Sequence, residues 1–252
     1  MAKKDTSVAT ANVPELVKDE YKALAVPAAK LAAILKDSVG TQGLKVSDLD
    51  KIKVPTGGMT VWEVPTLDGS EPMKAVEGIV LHFKDTRGYW ATKDGGNKPP
   101  DCRSDDGLTG IGTIAAMHGG NCATCPMAQF GTAVDEAGKP AAGQACKQKR
   151  IMLFLRQENI MPLLVSLPAT SLKNARQYFL RLVNNGLSFR HVTTQLRLEK
   201  KQGPKNEYSV ATLTRGRNLE PEELAKVETI GKAMREMFSQ ATVIDADPTD
   251  GE

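Results

Sequence analysis

No apolar stretch in the chain is long enough to cross a membrane. The longest, Ile160–Leu167, is broken by Pro162 and falls far short of the roughly 20 residues a helical span needs. The first residues, Met-Ala-Lys-Lys-Asp-Thr, lead into small and polar ones without the apolar core of a secretory signal, so a cytoplasmic location is expected. Catalytic signatures are missing too. There is no G-x-x-x-x-G-K-S/T phosphate loop, no G-x-S-x-G elbow and no H-E-x-x-H, and no H-x-E triplet occurs of the kind zinc deaminases carry. The glycines of Gly107–Gly112 lie in a cysteine-rich stretch and do not fit a dinucleotide fingerprint. Histidine is scarce, with three residues, and aromatics make up 5% of the chain. The carboxylates of residues 151–217 are only Glu158, Glu199 and Glu207, too few and too dispersed for a two-metal nuclease. The expectation is a protein that is not an enzyme.

What is present is enough apolar material for a core, 40% of 252 residues, and an uneven charge distribution. The net charge of +3 is the sum of four unlike parts. Residues 1–83 carry −1 (10 Lys/Arg against 11 Asp/Glu) and residues 84–150 carry +2 (9 against 7). Residues 151–217 carry +8 (11 against 3) and residues 218–252 carry −6 (3 against 9). A basic segment followed by an acidic end points to a polyanionic partner and a tail that imitates it.

The pattern of elements reads as mainly β with helices, an α+β fold. A helix, or two split at Pro27, runs from Pro14 to about Val39, and Ser47–Ile52 forms a short helical turn. Strand-like runs follow at Met59–Val64 and Ala75–Phe83, with Tyr89–Thr92 after a turn at Asp85–Gly88. Arg150–Arg156 and Met161–Leu167 resume the strand pattern, and Thr170–Asn185 is a helix capped by Thr170 or Ser171. Phe189–Lys200 alternates, with Val192, Thr194, Leu196 and Leu198 on one side, and pairs with Glu207–Thr214 across a turn. Glu220–Phe238 is a helix with Pro221 in its first turn. The helix falls between the third and fourth strands, the order of a five-stranded OB-like barrel, though a mixed α+β sandwich has the same order. The expected organisation is an N-terminal helical extension at 1–58, an OB-like domain at 59–217 with a zinc-binding insertion at about 93–149, and a C-terminal helix with an acidic tail at 218–252.

That insertion is rich in glycine, poor in apolar runs and holds all four cysteines, Cys102, Cys122, Cys125 and Cys146. Such a segment cannot build a core alone and needs a staple. Cys122-Ala-Thr-Cys125 can bite one Zn²⁺ in a tight turn, and Cys102 and Cys146 complete a tetrahedral set of four soft ligands. A full thiolate set leaves no open position, so the zinc is structural. Disulfides fit a secreted protein, and a redox C-x-x-C leaves two cysteines unexplained. An iron–sulfur cluster uses the same four thiolates, and His118 is an alternative ligand.

Cations and rings interleave around this insertion and beyond it. Arg87, Tyr89 and Trp90 precede it, Phe130 lies inside it, and Lys147, Lys149 and Arg150 follow it. Phe189 and Arg190 open a strand, Arg197, Lys200 and Lys201 close it, and Arg215 and Arg217 end its partner. Unpaired nucleic acid is bound by this mixture, cations following the phosphates and rings stacking on exposed base faces. The alternative is that the rings are core and the charges a solvated surface. The acidic tail, Asp245–Glu252, occupies the basic groove, docks replication or recombination proteins, or is simply a solvating end.

Several short motifs carry a resemblance: Lys53-Val-Pro-Thr-Gly-Gly58, Trp62-Glu-Val-Pro65, Pro99-Pro-Asp-Cys102, Gly120-Asn-Cys-Ala-Thr-Cys-Pro126, Gln129-Phe-Gly131 and Ser166-Leu-Pro-Ala-Thr-Ser-Leu172. With them the chain resembles a family of phage and mobile-element proteins from bacterial replication or recombination modules. By architecture it is similar to phage single-stranded DNA-binding proteins that join an OB fold, a zinc subdomain and an acidic C-terminal segment. The resemblance implies a single-stranded DNA partner and strand protection during DNA replication or recombination. Unlike the bacterial housekeeping type, this sequence has no aromatic residue after its acidic stretch. The competing reading is a zinc-containing regulator or adaptor that binds duplex DNA or protein.

Overall fold

A computed structural model describes residues 20–40, 44–92, 99–134, 138–203 and 206–240. It is a mixed α+β fold dominated by one curled sheet. In chain order the elements are helices α1 (Lys22–Ala25) and α2 (Ala28–Val39), then strands β1 (Lys51–Lys53), β2 (Trp62–Thr66), β3 (Gly69–Met73) and β4 (Ala75–Tyr89). The cysteine-rich stretch contributes β5 (Cys102–Ser104), β6 (Ile111–Gly112), α3 (Thr113–Met117), β7 (Ala133–Val134) and β8 (Pro140–Ala141). There follow β9 (Lys147–Leu155), β10 (Leu163–Pro168), α4 (Ala169–Asn184), β11 (Val192–Gln202), β12 (Glu207–Asn218) and α5 (Pro221–Gln240).

The main sheet runs β1-β10-β9-β4-β11-β12, antiparallel except for the parallel pair of β1 with β10. The long β4 is shared. Its residues 75–78 pair with β11 and residues 79–88 with β9. Gly78 sits at that handover, where an added Cβ would meet the Leu155 carbonyl oxygen at 2.5 Å and the Phe154 ring at 2.6 Å. The expected turn at Asp85–Gly88 is therefore absent. Asp85 lies directly opposite Arg150 in the ladder and forms an ion pair with it, which holds this polar stretch extended.

Alternation along β9 fills two cores at once. Met152 and Phe154 point into the curl of the sheet with Trp62, Val80, Val165 and Leu196. Ile151, Leu153 and Leu155 point outward, yet are equally buried, beneath Tyr21, Leu24, Val46 and Leu49 from the N-terminal segment and Val227 and Phe238 from α5. The segment 1–58 is thus more than a helical extension, since it supplies a strand to the sheet and part of the second core. A bulge in β4 between Val80 and His82 turns Leu81 and His82 to this same outer side, where His82 meets the Phe238 ring edge-on at 5.7 Å.

No ladder joins the edge strands β1 and β12 among the described residues, so the sheet is curled but not closed by strand pairing. Helix α4 covers the opening. Its apolar stripe, Leu172, Ala175, Tyr178 and Leu182, enters the inner core. Ser171 does not cap the helix. Its Oγ instead accepts the Ala211 N–H of β12 at 2.9 Å, and one turn on, Asn174 Nδ2 donates to the Ala211 carbonyl at 3.1 Å. Two side chains thereby satisfy an edge position of β12 that an absent strand would otherwise pair.

Candidate nucleic-acid interface and cysteine cluster

The cysteine lobe grows from the far ends of β4 and β9. Cys102 sits on β5 opposite Tyr89 of β4 and Gly112 of β6. Left-handed glycines, Gly119 (φ 73°) and Gly120 (φ 74°), turn the chain into the Cys122–Cys125 loop. That loop is tied down locally. Asn121 Oδ1 accepts the Ala123 N–H, the Cys122 N–H donates to the Leu108 carbonyl, and Gln129 Nε2 donates to the Ala123 and Cys125 carbonyls. The Cys146 N–H donates to the Met127 carbonyl at 2.7 Å, which brings the fourth cysteine to the same loop. Asp106 braces the entry by accepting N–H bonds from Leu108 and Thr109, with hydrogen bonding that holds its carboxyl near pKa 2.

All four cysteines are free thiols, and three are buried. Burial pushes the Cys146 thiol up to about 12; Arg87 opposes that rise, while Cys102, Cys122 and Cys125 add to it. Cys102 is raised by burial and then by Cys122 and Cys125, whereas the backbone N–H groups of Ala115 and Ile111 hydrogen-bond to it and lower it. The four sulfurs therefore share one electrostatic neighbourhood, although no group of three His, Cys, Asp or Glu side chains meets metal-binding geometry among the described residues. The chemistry of the donor set fits Zn²⁺: four thiols from three segments, with amides aimed at one sulfur. A buried donor without an acceptor, Nη1 of Arg87, belongs to the guanidinium that donates to the Gly107 carbonyl and to Gln148, two residues beyond Cys146.

The cations and rings expected at a DNA surface divide sharply. Arg150 is buried, with both carboxylate oxygens of Asp85 at 2.7 and 2.9 Å and its guanidinium 4.3 Å from the Phe83 ring centre. Lys149 is buried beside it. Phe189 packs against Phe83 and Phe179. Arg190 lies over the Phe189 ring and donates Nε to the Leu81 carbonyl at 2.8 Å. Arg87 is half-buried at the base of the lobe. Arg150, Phe189 and Arg190 are thus engaged in packing or pairing within the fold and Lys149 is buried, while Arg87, Phe189 and Arg190 stay half-exposed. Arg217 is held by Glu223 through two bonds of 2.7 and 2.6 Å, Lys200 pairs with Glu207, and Lys201 pairs with Glu199. Arg197 and Arg215 are exposed, but ladder parity separates them. Arg197 lies opposite Thr212, while Arg215 lies opposite the buried Thr194.

The outer sheet face, where an OB module would carry an oligonucleotide on its second and third strands, is covered over Ile151, Leu153, Leu155 and Leu164. The expected groove is therefore not on that face. What remains open is the lobe. Phe130 is 81% exposed, and Leu108, Ile111, Met117 and Val134 are exposed too, so half of the ten large exposed apolar residues among the described ones fall in this one segment. Tyr89, Trp90 and Lys147 lie half-exposed at its base. Sequence reasoning missed the four aliphatic positions. Their signal was an apolar residue in a stretch with no core to enter. The tail at 241–252 lies outside the described residues.

No family model matches the chain, and neither the curated proteins nor the solved structures contain a significant match to it.

Proposed function

We propose that this chain is a non-enzymatic, sequence-tolerant single-stranded DNA-binding protein of phage or mobile-element replication and recombination, with its contact surface on the cysteine lobe. The observation that carries the reading is the concentration of exposed apolar and aromatic side chains on that lobe, Phe130 foremost, with Lys147 at its base. Base faces stack on such side chains while cations neutralise phosphates. The strand order supports an OB-like assignment. Five strands run β10-β9-β4-β11-β12 with α4 between the third and fourth in sequence, partly open as OB barrels are, and the lobe is the connection between the first two. Structural Zn²⁺ held by Cys102, Cys122, Cys125 and Cys146 braces this connection, which has no core of its own.

Fluorescence titration with an oligonucleotide, single-stranded or duplex, tests this. Single strands should win, with affinity falling steeply as salt rises. Phe130→Ala should weaken single-strand binding by roughly 5–150-fold, the value of about 1–3 kcal/mol for one stacked base, without changing stability. A preference for duplex, or an unchanged affinity in this variant, refutes the placement.

A further inference from the structure

We propose that Arg87 is a positioning residue of the metal centre, donating from its buried Nη1 to the Cys146 thiolate and so fastening the loaded lobe to β4. The inference rests on the reading of the four cysteines as a zinc site. Arg87 faces Gln148 across the β4–β9 ladder, donates Nη2 to the Gln148 side-chain oxygen at 3.2 Å and Nε to the Gly107 carbonyl at 3.4 Å. Its Nη1 is buried and has no acceptor. Nor does Arg87 have a carboxylate partner among the described residues, unlike Arg150 with Asp85, Arg217 with Glu223 and Arg103 with Asp105.

A guanidinium with two neutral acceptors and one buried, vacant donor is a costly arrangement unless a negative charge lies nearby. Four thiolates on one divalent ion leave a net charge of about −2, which a neighbouring cationic donor offsets. The two acceptors that Arg87 uses bracket the cysteines: Leu108, next to Gly107, accepts the Cys122 N–H, and Gln148 lies two residues beyond Cys146. Groups that hydrogen-bond to metal ligands orient them and commonly change metal affinity by about 10–100-fold when removed.

The test uses the full chain and zinc alone, competed with a chromogenic chelator. Arg87→Met should weaken zinc retention by roughly 10–100-fold. Arg87→Lys, which keeps the cation without the planar fork, should fall between it and the wild type. Lys173→Met, remote on α4, should match the wild type. In Co²⁺-substituted protein, the sulfur-to-metal charge-transfer band of Arg87→Met should move to lower energy, because a thiolate that loses its donor is easier to oxidise. If Arg87→Met fails to fold by circular dichroism, Arg87→Lys carries the comparison. A wild-type chain that takes up zinc, with both Arg87 variants holding it as tightly and with an unmoved band, overturns this inference alone. A wild-type chain that takes up no zinc overturns the metal reading and this inference with it.

Discussion

Removing either member of the Asp85–Arg150 pair should destabilise the protein, and unequally. The Arg150 side chain is 6% exposed and that of Asp85 is 21% exposed. Asp85→Asn leaves the more buried partner as a cation without its counter-charge. Breaking a buried pair in this way costs about 3–5 kcal/mol. The partial exposure of Asp85 and the one acceptor that Asn retains bring the expected loss to roughly 2–3 kcal/mol. Arg150→Met removes the buried cation, and its apolar chain can occupy the slot against Phe83 and Phe179. The carboxylate left behind keeps some water and has Arg176 at 3.9 Å. Losing the cation–ring contact and the pair should then cost about 1–2 kcal/mol. The double variant should fall short of the sum by about 1–2 kcal/mol, since the first substitution has already broken the interaction. Urea unfolding, read as a change in midpoint at constant slope, measures all three. Strict additivity, or Asp85→Asn within about 0.5 kcal/mol of the wild type, would refute the argument. A second readout separates structure from binding. Arg150→Met should leave single-strand affinity unchanged, and a loss of affinity at wild-type stability would return Arg150 to the interface.

Two further outcomes follow from buried polar groups. Ser171→Ala strips the Ala211 N–H of its acceptor under α4 and should cost about 1–3 kcal/mol in urea unfolding; a neutral result would mean that water or a strand reaches that edge. His82 is lowered to about 4 by burial first and then by Arg235, Arg190 and Lys84. The unfolded chain takes up this proton below about pH 6.5 and the folded chain only near pH 4, so the contribution is full above 6.5 and is lost as pH falls through that window. With solvent screening at a half-buried site, the loss should be roughly 1–2 kcal/mol. His82→Gln should flatten the stability profile between pH 6.5 and 4.5, and an unaltered slope would remove His82 as its source.

Local pattern and long-range pairing contributed differently here. The 3.6-residue stripes of α4 and α5, the break at Pro27 and the alternation of β11 were legible, because each depends on neighbours within a few residues. The fate of each charge was not. Arg150 and Arg197 look alike in a basic segment, yet one is buried against Asp85, 65 residues away, and the other is exposed. A charge is spent or free according to what the fold sets opposite it, and no periodicity encodes that partner. The covering of the outer sheet face was equally hidden. Alternation in β9 shows apolar residues on both sides, but only tertiary packing decides that residues near 21 and 238 arrive to bury the second side. Residue type and spacing determined what chemistry the chain can offer; contact between distant segments decided where that chemistry remains exposed.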